Sequence, residues 1–189
     1  QGVFFKLFGV NWFVYLLHPS IINFIFAAIT YKFFIEEGLS PYFSLFYSIS
    51  VSILAYPSSG VPFPDHHSIL ISLIAVYFLI FALKNNGDFY WYLIPPFLLV
   101  AFISKQIPAA FFIILIFFYY IFFSFTYKNY KVLFWGFLST ITVLIIFFLF
   151  LGLLNIGFKD FVIQYLLFPL SIGNSRSETL NLLSLLYLM

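Results

Sequence analysis

The sequence predicts an all-α protein, a polytopic bundle of membrane-spanning helices, and three observations carry that prediction. Only 7% of the 189 residues are charged while 64% are hydrophobic, against roughly 25% charged in an ordinary soluble domain. Apolar runs such as 69–83 and 109–125 approach the roughly 20 residues a helix needs to cross about 30 Å of hydrocarbon. The runs show no alternation of apolar and polar residues, the mark of strands in a closed barrel. Lipid satisfies no backbone polar group, so helices are the remaining way across. That constraint outweighs the modest helix propensity of the many Phe, Ile and Tyr residues.

Six spans are expected. A short aromatic piece, Val3 to Phe8, leads into the first, about 11–35, which carries Pro19 as an expected kink. The second, about 42–56, is short. The polar stretch SSGVPFPDHHS (58–68) separates it from the third, about 68–83, which stops at Lys84-Asn85-Asn86-Gly87-Asp88. In the fourth, about 89–104, Pro95-Pro96 either bends the helix or delays its start. The break Ser104-Lys105-Gln106-Ile107-Pro108 reads as a tight turn at the membrane surface, after which come a fifth span, about 109–127, and a sixth, about 132–154. Over 158–170 the apolar residues Phe158, Phe161, Val162, Tyr165 and Leu166 recur at helical spacing, which suggests an amphipathic helix lying in the interface. A polar loop follows, then the start of a further span at 180–189. The whole reads as one transmembrane domain, 1–189, cut from a longer chain at both ends.

Successive spans place the loops on alternate sides. One set carries Lys32, Lys84, Lys128 and Lys131, the other Lys105, Lys159 and Arg176. Cytoplasmic loops hold the excess of Lys and Arg, and long segments count for less, so the first set is assigned to the cytoplasm. The stretch 58–68, Lys105-Gln106 and the segment with Lys159, Asp160, Arg176 and Glu178 then share the extracytoplasmic face. Almost every group able to do chemistry converges there. The expected location is a multi-pass protein of a bacterial inner membrane, with the lipid bilayer as its first partner.

Each candidate group also has a plain structural reading. Asp65, after Pro64 and before a long apolar run, stands where a helix N-cap is expected. His66 and His67 are adjacent, and neighbouring residues on a helix point about 100° apart, so they cannot ligate one ion as a pair. Lys105 is the sharper case. An ammonium deep in a bilayer costs about 2.5–3.5 kcal/mol and needs water or an anion, unless it snorkels to the surface. Ser104 and Gln106 beside it add neutral donors suited to a phosphate. The Tyr and Trp residues near span ends are explained by aromatic belts, and Glu36-Glu37-Gly38 reads as a solvated turn.

The chain has no cysteine, which removes disulfides and thiolate chemistry, and leaves any divalent metal to His and carboxylates. A net charge of +2 with scattered lysines gives no footprint for nucleic acid. No Gly-rich phosphate loop, nucleophile elbow or HExxH is present, so ATPase, hydrolase and zinc-protease chemistry is disfavoured.

From Phe5 to about Phe125 the order and texture resemble the GT-C superfamily of multi-pass membrane glycosyltransferases, the group with protein mannosyltransferases and aminoarabinose transferases. The Phe-Lys-Leu-Phe-Gly piece at 5–9 enters a span, and an outer loop ends in Pro64-Asp65. The run ILISLIAVYFLI (69–80) reaches the Lys84 turn, and a leucine-rich helix ends in Ser104-Lys105. Pro64-Asp65 and Ser104-Lys105 are the specific parts. The resemblance implies transfer of a sugar from a polyprenyl-phosphate-linked donor to a glycan, lipid or protein acceptor on the extracytoplasmic face, by an inverting displacement. It places Lys105 at the donor phosphate and Asp65 at the rim of the active site. Ser104 and Gln106 beside Lys105, and further Lys159 and Arg176, are the candidate companions at the phosphate, and His66 and His67 stand beside Asp65 as candidates at the rim. In the family the catalytic acid lies in the first outer loop, which would precede Gln1, and a His-His pair after the Asp is not a general feature. A transporter or flippase of a lipid-linked sugar, or a polysaccharide polymerase or ligase, would meet the same donor on the same face.

Overall fold

The computed structural model describes residues 2–55, 64–85 and 87–172. Among these the chain is all-helical, with no strand. It divides into two compact units, Gln1–Val143 and Leu144–Met189.

In the first unit a short helix, α1 (Gly2–Phe8), precedes α2 (Trp12–Glu36), α3 (Pro41–Ala55), α4 (Pro64–Asn85), α5 (Asp88–Ser104), α6 (Gln106–Thr126) and the first part of α7 (Lys131–Leu153). Four of these, α2, α4, α6 and α7, are long and apolar enough to cross a membrane, while α3 and α5 have 15 and 17 residues. The sequence places six helices where six appear. Its count of six spans goes further than these lengths do.

Helix ends follow local chemistry. Asn11 caps α2 by accepting from the Val14 amide at 2.9 Å. At the other end Gly38 takes φ +93, and the Gly38 and Leu39 amides donate to the carbonyls of Ile35 and Phe34, each at 3.0 Å. This is the paired closure that a left-handed glycine permits.

The most buried helix is α4, which packs against α2, α5 and α6. Phe26 of α2 and Leu70, Ile74 and Tyr77 of α4 form one apolar cluster. Ala75, Leu79 and Ala82 of α4 join Trp91, Ile94 and Leu98 of α5 with Ile116, Tyr120 and Phe123 of α6 and Val132 of α7 in another. Small residues line these seams: Ala75 and Ala82 are buried in the second cluster, and Ala101 of α5 and Ala109 of α6 are buried against Ile71 of α4, as close helix approach in lipid requires. The outward side is apolar too: Phe111, Phe117, Phe118, Phe122 and Phe125 of α6 are exposed. That inverts the pattern of a soluble bundle and suits a hydrocarbon solvent.

The prolines inside α5 neither delay its start nor leave its backbone unsatisfied. Pro95 and Pro96 have no N–H, so the carbonyls four residues earlier, Trp91 and Tyr92, lose their helical partners. Both are recovered from neighbouring helices. The Tyr120 hydroxyl of α6 donates to the Trp91 carbonyl at 2.7 Å, and the Ser139 hydroxyl of α7 donates to the Tyr92 carbonyl. The Tyr120 ring also meets Trp91 edge-on at 5.0 Å and lies against Gly136, where a Cβ would collide with it. Pro19 is likewise accommodated inside α2, which continues through it.

The second unit contains the end of α7 and α8 (Phe158–Phe161), which passes into a π-helical turn (Val162–Leu167) and continues helically to residue 172. The expected amphipathic face is visible. Phe161, Val162, Tyr165 and Leu166 are half-buried, while Ile163, Gln164, Leu167 and Phe168 are exposed. Phe161 stacks on Tyr165 at 5.1 Å and meets Phe147 of α7 edge-on at 5.2 Å. Burial pushes the Tyr165 phenol up to about 12, so it stays neutral. Phe158 is the exception within the predicted face: it is exposed, although its ring touches Phe148. The expected further span at 180–189 lies outside the described residues.

Candidate functional site

Within the first unit α2 and α4 run the same way, with α3 returning between them, so their beginnings share one end and their last turns share the other. At the far end the Lys84 ammonium donates to the Glu36 carbonyl at 2.8 Å and lies 3.3 Å from the Glu37 carboxylate. The turn that read as solvated therefore latches α2 to α4.

The near end holds the groups that the sequence singles out. It is built by a break in the helix track. Lys105 is extended (φ −160, ψ 131) between α5 and α6, and Ile107 is also non-helical (φ −105, ψ 125). Two residues outside the helical region turn the chain. The Ser68 hydroxyl of α4, itself fully buried, donates to the Lys105 carbonyl at 3.1 Å. This bond pins the break to the first turns of α4. The Lys105 ammonium stands 3.8 Å from the Asp65 carboxylate, and both side chains are about half exposed (46% and 50%). That distance makes an ion pair but not a hydrogen bond.

Asp65 differs from its expected role. Helix α4 begins at Pro64, a residue well suited to a first helical position, so Asp65 sits inside the first turn. Its carboxylate remains favourable next to the unpaired amides of a helix start, yet the cation it faces is Lys105. Ser104 also differs, because its hydroxyl donates back to the Val100 carbonyl at 2.9 Å within α5 and is engaged there. Gln106 opens α6 directly after Lys105. His66 and His67 lie in the first turn of α4 beside Asp65. Lys159 is exposed on α8 in the second unit, and Arg176 lies outside the described residues.

Sequence reading passed over His18. This histidine of α2 meets His67 of α4 edge-to-face, with ring centroids 5.0 Å apart, and also meets Phe4 of α1 edge-on at 5.2 Å. The chain has three histidines, and all of them gather at this end. The signal was an ionisable residue inside an apolar run, which in a membrane segment marks a functional candidate by default. Ser68 carried no such signal. Among the described residues no group of three His, Asp or Glu side chains is disposed to hold a metal ion.

The site thus combines one cation, one carboxylate, a helix start and three imidazoles at one end of the first unit. It is equipped to hold a small anion, since a helix start and an ammonium both favour negative charge. Compared with models of protein families, with curated proteins and with solved structures, the chain has no match.

Proposed function

We propose that the chain is part of an integral-membrane glycosyltransferase that takes a sugar from a polyprenyl-phosphate-linked donor and passes it to an acceptor on the extracytoplasmic face of a bacterial inner membrane. In this reading α2 to α7 are six spans, with α3 and α5 the short ones, and Lys105 holds the donor phosphate. The observation that supports it is the Asp65–Lys105 pair: a lysine fixed through its own backbone by Ser68, half exposed, with a carboxylate at 3.8 Å. A lysine so placed can offer its charge to a leaving phosphate as negative charge develops there. The acid that deprotonates the acceptor is assigned to no residue of this chain, and Lys159 and Arg176 are assigned only as further phosphate contacts.

The test is transfer of labelled sugar from a panel of polyprenyl-phosphate-linked hexoses and pentoses, in membranes containing the full-length enzyme of which this chain is a part. Lys105→Ala is expected to lose transfer while the inserted amount of protein stays the same. Normal turnover by that variant would remove the phosphate role. Donor that crosses the bilayer with its sugar still attached, in a Lys105-dependent way, would place the chain with flippases instead.

A further inference from the structure

In the first unit three lysines each face a carboxylate: Glu36 lies 3.7 Å from Lys32, Glu37 3.3 Å from Lys84 and Asp65 3.8 Å from Lys105. The turn between α6 and α7 breaks that pattern. Its sequence, Tyr127-Lys128-Asn129-Tyr130-Lys131, carries two cations and no acid. Both lysines are exposed, and among the described residues neither has a carboxylate within ion-pair distance. Lys6 also lacks one, but it stands as a single cation on α1. We propose that this turn binds the headgroup phosphate of an anionic phospholipid, held between Lys128 and Lys131. The turn lies at the opposite end of the first unit from Lys105 and does not depend on the role of that residue.

The depth of the turn follows from the helices it joins. Both α6, with 21 residues, and α7, with 23, are long and apolar enough to cross a membrane, so as spans they return the chain at one membrane surface, at the level of the headgroups. The reversal is tight. Lys128 takes φ +53, and the Val132 amide donates to the Asn129 carbonyl at 3.3 Å. Val132 is itself buried in the core, which fixes the turn against the bundle. The Tyr127 ring packs on Phe123 at 4.6 Å and the Tyr130 ring on Phe125 at 6.0 Å, while both tyrosines remain exposed. Rings of this kind favour the membrane interface, and their phenols can donate to a phosphate oxygen.

Electrostatics explains why a lipid group is the one to complete the turn. Two ammonium groups three residues apart repel, and Lys131 opens α7, the helix end at which the dipole disfavours a cation. The chain supplies no relief among its described residues. At this end Glu36 and Glu37 are engaged by Lys32 and Lys84, and Asp88, in the first turn of α5, pairs with neither lysine of the turn. A phosphodiester at the same depth in the adjoining leaflet can answer both cations. Basic residues beside a span draw anionic lipid, each contributing about fivefold near the surface.

The experiment places the whole chain in phosphatidylcholine vesicles and titrates in chain-brominated phosphatidylglycerol. A Trp12→Phe background leaves Trp135, one turn into α7, as the reporter, since Trp91 is buried. Quenching then gives the relative affinity for the two lipids. The background protein is expected to favour phosphatidylglycerol by at least about fivefold. Lys128→Gln/Lys131→Gln should bring the ratio to about one, and Lys128→Arg/Lys131→Arg should keep it because the charge is retained. A ratio near one in the background protein, or an unchanged ratio in the double Gln variant, would overturn the lipid site. Soluble glycerophosphoglycerol separates the two sources of phosphate: it is expected to leave quenching unchanged. If it displaces the brominated lipid in a way that needs both lysines, the turn binds a free phosphate ester and the assignment to a lipid is wrong.

Discussion

At each end of α4 a lysine is matched to a carboxylate, Lys84 of α4 at one and Lys105 of the α5–α6 break at the other, and the two pairs are built differently. At the far end Lys84 is saturated, with a backbone carbonyl at 2.8 Å and the Glu37 carboxylate at 3.3 Å. At the near end Lys105 has its carboxylate at 3.8 Å, and the bond that fixes this residue runs through its carbonyl to Ser68. One lysine has its head group tied and the other its backbone. The first arrangement uses charge to hold helices together. The second positions a charge and leaves its head group half exposed, so two similar ion pairs differ in which atoms are restrained.

That contrast can be broken at several points. The largest expected effect is at Lys105: if it holds the donor phosphate, replacing it with Ala should weaken binding of a short isoprenyl-phosphoryl-glucose probe at least about thirtyfold, the equivalent of about 2 kcal/mol. Its thermal midpoint should stay close to wild type. A change of that size in both quantities would mean that the near end is a latch as well. Next comes Tyr120→Phe, which leaves the Trp91 carbonyl without its donor and should cost about 1–2 kcal/mol of stability. Denaturation in detergent measures it, and unchanged probe binding would show that helix pinning and anion binding are separate properties. Lys84→Ala should cost less, about 0.5–1 kcal/mol, because the pair is partly exposed, again without effect on the probe. Smallest is Asp65→Asn, expected to change stability by less than about 0.5 kcal/mol. A larger loss there would give the 3.8 Å pair a structural weight that its geometry argues against.

Much of the fold was legible because membrane helices are written in long apolar runs punctuated by Lys, Asn, Gly and Pro. The break at Ser104-Lys105 and the stripe Phe161, Val162, Tyr165, Leu166 were both readable in this way. Side-chain partners were less so. That Asp65 and Lys105 share an end follows from counting spans, but that they meet depends on how α4 sits against the α5–α6 break. Pro64 already occupies the helix start, and sequence alone does not say whether the next residue caps or reaches out. His18 was in plain view as an ionisable residue in an apolar run, but its meeting with His67 required knowing that α2 and α4 run parallel. The partners of Pro95 and Pro96 were hidden for a related reason: a proline announces a lost bond without naming the hydroxyl that replaces it.

The two freed carbonyls of α5 also bear on biogenesis. A 17-residue helix that enters the bilayer alone would present the Trp91 and Tyr92 carbonyls to lipid, where each unsatisfied group is costly. The hydroxyls that answer them arrive 29 and 47 residues later in the chain. Synthesis delivers the problem before the solution, so if α5 spans the membrane it is expected to settle there together with α6 and α7 rather than alone. A chain ending after α5 should integrate poorly, and one extended through Ser139 should integrate well, which a glycosylation-mapping assay of insertion would read directly.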